Sequence, residues 1–89
     1  MQATVELSLN PLDADYANIV TEFILRFKDH PDLQVVVNGL STQIIGPYDL
    51  IMDMLEGEMK TVLEKYPAVF HMKIARGRLT RDGLPDSLL

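Results

Sequence analysis

The chain has 89 residues, which suit one folded domain and leave no room for a catalytic domain joined to a regulatory one. Its formal net charge of −5 disfavours binding to nucleic acid, because affinity for a phosphate backbone comes from Lys and Arg. It contains no cysteine, which excludes disulfide scaffolds, thiolate metal sites and cysteine nucleophiles. Hydrophobic residues make up 47% of this small chain, so we expect another subunit to cover part of its surface.

The sequence has no feature that directs it to a membrane or to secretion. Residues 1–6 lack the basic flank and the long apolar run of a signal peptide. No stretch approaches the ~20 apolar residues that span a bilayer. We therefore expect a cytoplasmic protein without a membrane partner.

The first half of the chain predicts a strand, a helix and a second strand. Apolar and polar residues alternate over 3–9, which is typical of a strand with one apolar face. Apolar residues then recur at helical spacing over 16–27, after Asp13 and Asp15, either of which can cap the helix. The β-branched run at 33–37 predicts the second strand.

The second half repeats this order. A tight turn is predicted at 38–39, followed by a third strand around 44–45. Apolar residues at helical spacing predict a helix over 48–65, and alternation predicts a last strand over 68–76. Gly57 within this helix costs about 1 kcal/mol relative to alanine, which favours close packing at that point over a hinge.

The predicted order β-α-β-β-α-β is that of the ferredoxin-like α+β fold, with a four-stranded antiparallel sheet and two helices on one face. We assign residues 1–78 to this domain and residues 79–89 to a C-terminal tail that is ordered only if it docks. The sheet face opposite the helices, here called the open face, must then be polar or covered.

Alternation also predicts which side chains lie on the open face. The first strand places Thr4, Glu6 and Ser8 there, and the last strand places His71 and Lys73 there. The first strand lies next to the last in this topology, so Glu6 and Lys73 are expected cross-strand partners. The mixture of apolar and hydrogen-bonding residues predicts a homo-oligomer, a homodimer or homotetramer, that associates through this face and holds a ligand pocket within or beside the interface.

The sequence shows no catalytic apparatus. It has no Gly-rich phosphate loop, no nucleophile elbow and no pair of histidines at metal-ligand spacing. His71 stands alone on its strand and is more typical of packing than of acid–base chemistry. We expect no enzyme activity, no metal and no cofactor.

Several segments carry a resemblance to a known family. Residues 40–46 read Leu-Ser-Thr-Gln-Ile-Ile-Gly and precede an acid-rich helix with three methionines. Residues 4–12, near the start of the chain, and 69–74, late in it, add to the pattern. Over residues 3–78 the chain resembles the small thiamine-binding, ferredoxin-like domains, which include domains that bind hydroxymethylpyrimidine and thiamine.

The resemblance implies a non-enzymatic homo-oligomer that binds thiamine or its hydroxymethylpyrimidine moiety in vitamin transport, storage or salvage. Ser41 and Thr42 match the Ser-Thr pair that lies near the ligand in that family, and Glu6 and Ser8 are expected to line the pocket by position. The register of the turn leaves open which of its polar residues face the open side. The predicted ligand-binding residues are Glu6, Ser8, Asn38, Ser41, Thr42 and His71.

The chemistry suits such a ligand. An aminopyrimidine offers an amino donor to a carboxylate and ring nitrogens to hydroxyl and amide donors. Two other functions fit the same fold: a structural or regulatory oligomerisation module with no small-molecule ligand, and a small ferredoxin-like dimeric enzyme such as a monooxygenase or isomerase.

Overall fold

In the computed structural model, which describes residues 1–88, the chain forms one antiparallel sheet and two long helices. The elements are β1 (Gln2–Pro11), α1 (Tyr16–Lys28), β2 (Gln34–Val37), β3 (Thr42–Pro47), α2 (Tyr48–Lys65) and β4 (Ala68–Arg76), followed by two 3-10 turns, Arg81–Gly83 and Asp86–Leu88. The strand order is β2-β3-β1-β4. This confirms the predicted ferredoxin-like α+β fold. No helix within residues 1–88 combines the length and the apolar character needed to cross a bilayer.

The hydrophobic core lies between the helices and one face of the sheet. Alternation along β1 turns every second residue toward α1 and α2, whose apolar stripes recur at helical spacing. The buried core residues are Val5, Leu7 and Leu9 of β1, Ile19, Phe23 and Phe27 of α1, Ile44 of β3, and Ile51, Leu55 and Val62 of α2. The ring of Phe23 lies 5.2 Å from that of Phe27 and 5.5 Å from that of Phe70, so aromatic contacts connect α1 to β4.

Two acidic residues precede α1, as expected, but the helix is not capped by a carboxylate. Asp15 occupies the N-cap position without a side-chain bond to a helix N–H group. Its Oδ1 accepts a hydrogen bond from Asn18 Nδ2 at 2.7 Å instead. Asp13 Oδ1 accepts from the backbone N–H of Asp15 at 2.8 Å, which closes the turn before the helix.

The two internal glycines at 46 and 57 have opposite surroundings. A Cβ atom on Gly46 would lie 2.7 Å from Leu33 Cδ2 and 2.9 Å from the carbonyl oxygen of Asp32, so β3 approaches the start of β2 more closely than any side chain permits. A Cβ atom on Gly57 would meet nothing within 4 Å. The prediction that close packing explains Gly57 is therefore wrong, because this glycine lies on an open helix surface.

We expect Gly46→Ala to lower the free energy of unfolding by about 1–3 kcal/mol, because the new methyl group must displace a backbone carbonyl. Gly57→Ala is the matched control and should raise it by up to about 1 kcal/mol, since alanine is the better helix former. Urea denaturation of both variants measures these changes. A Gly46→Ala variant as stable as the unsubstituted protein would contradict the close approach.

After β4 the chain turns back across the open face. Gly77 has φ +93°, a left-handed conformation that glycine adopts without a Cβ penalty. Thr4 Oγ1 donates a hydrogen bond to the carbonyl of Gly77 at 2.8 Å and accepts one from the backbone N–H of Leu79 at 2.9 Å. We call residues 77–79 the strap. They dock on the sheet of their own chain, at the start of the tail.

The side chain of Arg78 extends the strap across three strands. Its Nη1 donates to Gln2 Oε1 on β1 at 3.1 Å, and its Nη2 donates to Gln34 Oε1 on β2 at 2.9 Å. Since β3 lies between these two strands, the guanidinium lies over β3. Ile45 of β3 is on this face, because it pairs with Thr4, and its exposed fraction is 0%. The protein therefore covers one end of its open face with its own chain.

Candidate functional site

The other end of the open face holds a groove of about 360 Å³ between β1, β4 and the turn that joins β2 to β3. We call it the face groove. Its lining residues are Glu6, Ser8, Asn38, Leu40, Ser41, His71, Met72 and Lys73. Five of the six predicted ligand-binding residues are thus brought together, and the sixth, Thr42, is not among them.

The pairing of β1 with β4 positions the charged part of the groove. Glu6 lies opposite Lys73 and Ser8 lies opposite His71, and residues opposite one another share a face. The predicted cross-strand pairing of Glu6 with Lys73 is therefore confirmed by the register. The two side chains do not form a salt bridge. Within residues 1–88, the one ion pair with a nitrogen–oxygen distance of 4.0 Å or less joins Lys60 to Glu64.

The turn between β2 and β3 forms the opposite wall. Asn38 Oδ1 accepts hydrogen bonds from the backbone N–H groups of Leu40 at 2.8 Å and Ser41 at 3.0 Å. These bonds fix the turn with a side-chain oxygen, as asparagine commonly does. The NH₂ group of the same amide is then the part of Asn38 that can donate to a ligand.

Glu6 is held at the turn end of the groove. Ser41 Oγ donates to Glu6 Oε2 at 3.4 Å, a long and therefore weak hydrogen bond. A carboxylate has about four lone-pair sites, so one weak bond leaves it able to accept from further donors. Glu6 is half-buried and has no close cation, which makes it the strongest acceptor for a ligand amino group in the groove.

Thr42 lies on the other side of the sheet. It pairs with Leu7, whose side chain is in the core, so Thr42 faces the helices and is buried. Gln43 pairs with Glu6 and takes the position on the open face. A shift of one residue in register exchanges the two faces of a strand, and this removes Thr42 from the face groove.

Thr42 instead lines a second groove, of about 260 Å³, between α1 and the same turn. We call it the helix groove. Its wall is mostly apolar and includes Tyr16, Val20 and Ile24 of α1. Because it lacks an ionisable carboxylate or ammonium group, it is less suited than the face groove to a ligand with a fixed charge.

Leu40 was missed by the sequence analysis. It lies in the turn between β2 and β3, lines both grooves and is 90% exposed. This is the highest exposed fraction of any large hydrophobic residue within residues 1–88. The sequence signal that could have identified Leu40 is an apolar residue in a turn that otherwise consists of Asn, Gly and Ser. Leu40 offers an apolar contact for the flat face of a bound ring. Within residues 1–88, no three His, Asp or Glu side chains group in a manner suited to a metal ion.

No protein-family model matches the chain, and no curated protein matches it by sequence. Solved structures do match its fold. A protein from Streptococcus pneumoniae is 21% identical, with a TM-score of 0.77 over 89% of this chain and 90% of that one. A hypothetical protein from Methanocaldococcus jannaschii is 27% identical, with a TM-score of 0.73 over 98% of this chain and 92% of that one.

A third similar structure has a functional description. It is a protein from Thermotoga maritima assigned provisionally to thiamine biosynthesis or salvage, 15% identical, with a TM-score of 0.72 over 99% of this chain and 94% of that one. At this identity the likeness is one of fold. These proteins therefore share their architecture with this chain over nearly its whole length.

Proposed function

We propose that the protein binds thiamine or its hydroxymethylpyrimidine moiety in the face groove, without catalysis, and serves vitamin transport, storage or salvage as a homo-oligomer. The observation that carries this proposal is the position of the Glu6 carboxylate beside Ser41, without a salt bridge to Lys73. The description of the similar Thermotoga maritima structure supports the same ligand class.

The groove supplies the groups that an aminopyrimidine requires. Glu6 accepts from the exocyclic amino group, while the hydroxyl of Ser8 and the amide of Asn38 donate to the ring nitrogens. The Ser41 hydroxyl donates to Glu6 and holds its carboxylate in place. A volume of about 360 Å³ is within the range of small-molecule sites. Since the thiazolium ring is cationic, we expect it to lie away from Lys73, toward Leu40.

Isothermal titration of the protein with thiamine, and separately with hydroxymethylpyrimidine, tests the proposal. We expect saturable binding of at least one of them and a matching rise in the melting temperature. Neither heat nor a thermal shift at millimolar thiamine would refute it and would favour an oligomerisation module without a ligand. Chemical conversion of thiamine by the protein would show an enzyme instead.

Two neighbouring residues test the choice between the two grooves. Ser41 lines both, and its hydroxyl donates to Glu6 of the face groove, whereas Thr42 lines the helix groove alone. Ser41→Ala removes a hydroxyl of the face groove and should weaken thiamine binding by up to about tenfold, which is the usual worth of one hydrogen bond. Thr42→Val keeps the shape of a side chain on the other face, and affinity should stay within about twofold. Titration of both variants measures the contrast. The reverse order of effects would place the ligand in the helix groove.

A further inference from the structure

The fold leaves its last strand without a cover. α1 packs on β1 and β2, and α2 packs on β3 and β1, so of β4 mainly the Phe70 end reaches the core. Beyond it, on the helix side, Met72 and Ile74 are 40% and 48% exposed. On the open side Val69 is 44% exposed. Apolar side chains are thus exposed on both faces of one strand.

This strand also ends the sheet, and its outer edge carries few of the features that protect edge strands. β4 pairs with β1 without interruption from Ala68 to Arg76, so no bulge twists the edge away. It has no proline, and its charged side chains are Lys73 and, at its last position, Arg76. Natural edge strands of this length carry charges, proline or bulges that prevent pairing with another chain. The opposite edge, β2, has only four residues.

The exposed area of the chain agrees with a missing partner. A compact monomer of 10.0 kDa is expected to expose about 5,200 Å². This chain exposes 6114 Å², and the excess is close to the ~800 Å² that each partner buries in a stable interface. Val69, Met72 and Ile74 of the sheet-edge strand contribute to this uncovered apolar surface.

We propose that β4 pairs in antiparallel orientation with β4 of a second copy, which joins the two sheets into one of eight strands. A two-fold axis perpendicular to the sheet places the helix sides of both copies on the same side of the joined sheet. The exposed apolar residues on the helix side of one copy therefore contact those of the other. With the axis at Met72, Phe70 lies opposite the partner's Ile74. With the axis at Lys73, Met72 lies opposite the partner's Ile74. Both registers bring the exposed apolar residues together.

The same pairing brings the two face grooves side by side. His71 and Lys73 form the β4 wall of the groove, and they lie at the junction between the copies. The partner's β4 becomes the next strand beyond that wall and adds its own polar residues to the rim. The strap occupies one end of the open face, whereas the β4 edge has no such cover. The edge pairing does not depend on whether the groove binds thiamine.

Engineered disulfides test the pairing directly, because the chain has no cysteine of its own. Residues that face each other across a two-fold axis have Cα atoms about 4.5–5.5 Å apart, a distance that a disulfide bridges. We expect Met72→Cys or Lys73→Cys to form a disulfide-linked dimer rapidly on mild oxidation. Leu25→Cys, on α1 and comparably exposed, is the control and should react slowly.

Sedimentation of the full chain provides the second measurement. We expect a mass that is an even multiple of 10.0 kDa, and we expect Met72→Glu to halve it, because two carboxylates would then meet near the axis. A monomer at micromolar concentration would overturn the proposal. So would an oligomer that Met72→Glu leaves intact, or β4 cysteines that crosslink no faster than Leu25→Cys, since the copies would then meet elsewhere.

Discussion

Ile45→Ala is expected to lower the free energy of unfolding by about 2–5 kcal/mol, although Ile45 lies on the sheet face that no helix covers. On a bare face the same change would cost little, because the side chain would already be in water. Ile45 has no exposed surface, and the Arg78 guanidinium forms hydrogen bonds with the strands on either side of it. Removing three methyl or methylene groups therefore leaves a cavity under the strap.

Gln43→Ala is the matched control, because Gln43 lies two residues earlier on the same strand and the same face but outside the strap. Its effect should stay within about 0.5–1 kcal/mol. Urea denaturation of both variants gives the comparison, and equal small losses would mean that nothing covers Ile45. Combining Ile45→Ala with Arg78→Ala should show a coupling of about 0.5–3 kcal/mol, which would demonstrate that Arg78 covers Ile45.

The strap could not be predicted from the sequence. Its hydrogen bonds join Thr4 to Gly77 and Leu79, which lie 73 and 75 positions further along the chain. No local sequence pattern encodes a contact between residues so far apart. Thr4 has the same alternation as Glu6 and Ser8, which suggested solvent or a second subunit above all three. In the structure the strap contacts Thr4, which is buried, whereas Glu6 and Ser8 line the face groove.

The fold itself was predictable because its signals are local and mutually consistent. The bounds predicted for the second helix and the last strand, 48–65 and 68–76, agree with α2 and β4. Proline and glycine mark several element ends, and the two long strands, β1 and β4, alternate with period two. Local signals of this kind determine secondary structure, and the two crossovers then leave few arrangements of the sheet.

The site was predictable in part for the same reason. Glu6, Ser8 and His71 lie on long strands, where alternation fixes the face once one apolar residue is assigned to the core. Thr42 follows a short turn, where one residue more or less exchanges the faces. The Asn38 side chain closes that turn through the N–H groups of the next residues and so determines the register of β3.

These features together restrict where a ligand can bind on the open face. The strap takes the end of the sheet near Thr4, and the turn and β4 form the walls at the other end. Glu6 lines the face groove and lies two residues along β1 from Thr4, which contacts the strap. A ligand in the face groove must therefore pass close to its carboxylate.

Glu6→Gln is expected to weaken thiamine binding by about tenfold or more, because hydrogen bonds that involve a charged acceptor are worth roughly 1.5–3 kcal/mol. Glutamine keeps the length of the side chain and can still accept from Ser41, so the shape of the groove persists. The fold should also persist, since Glu6 forms no salt bridge with Lys73 that the change would break. Titration calorimetry gives the affinity, and urea denaturation of the same sample gives the stability.

Two comparisons identify which part of the ligand Glu6 contacts. Glu56→Gln, on the exposed surface of α2, removes one negative charge far from the groove and should leave affinity within about twofold, which accounts for the change in net charge. Hydroxymethylpyrimidine lacks the cationic thiazolium, so an equal loss of affinity for it and for thiamine would show that Glu6 accepts from the aminopyrimidine. A loss for thiamine alone would show that the carboxylate faces the thiazolium. Full affinity for both ligands in a folded Glu6→Gln protein would exclude Glu6 from the site and, with it, the proposed position of the ligand.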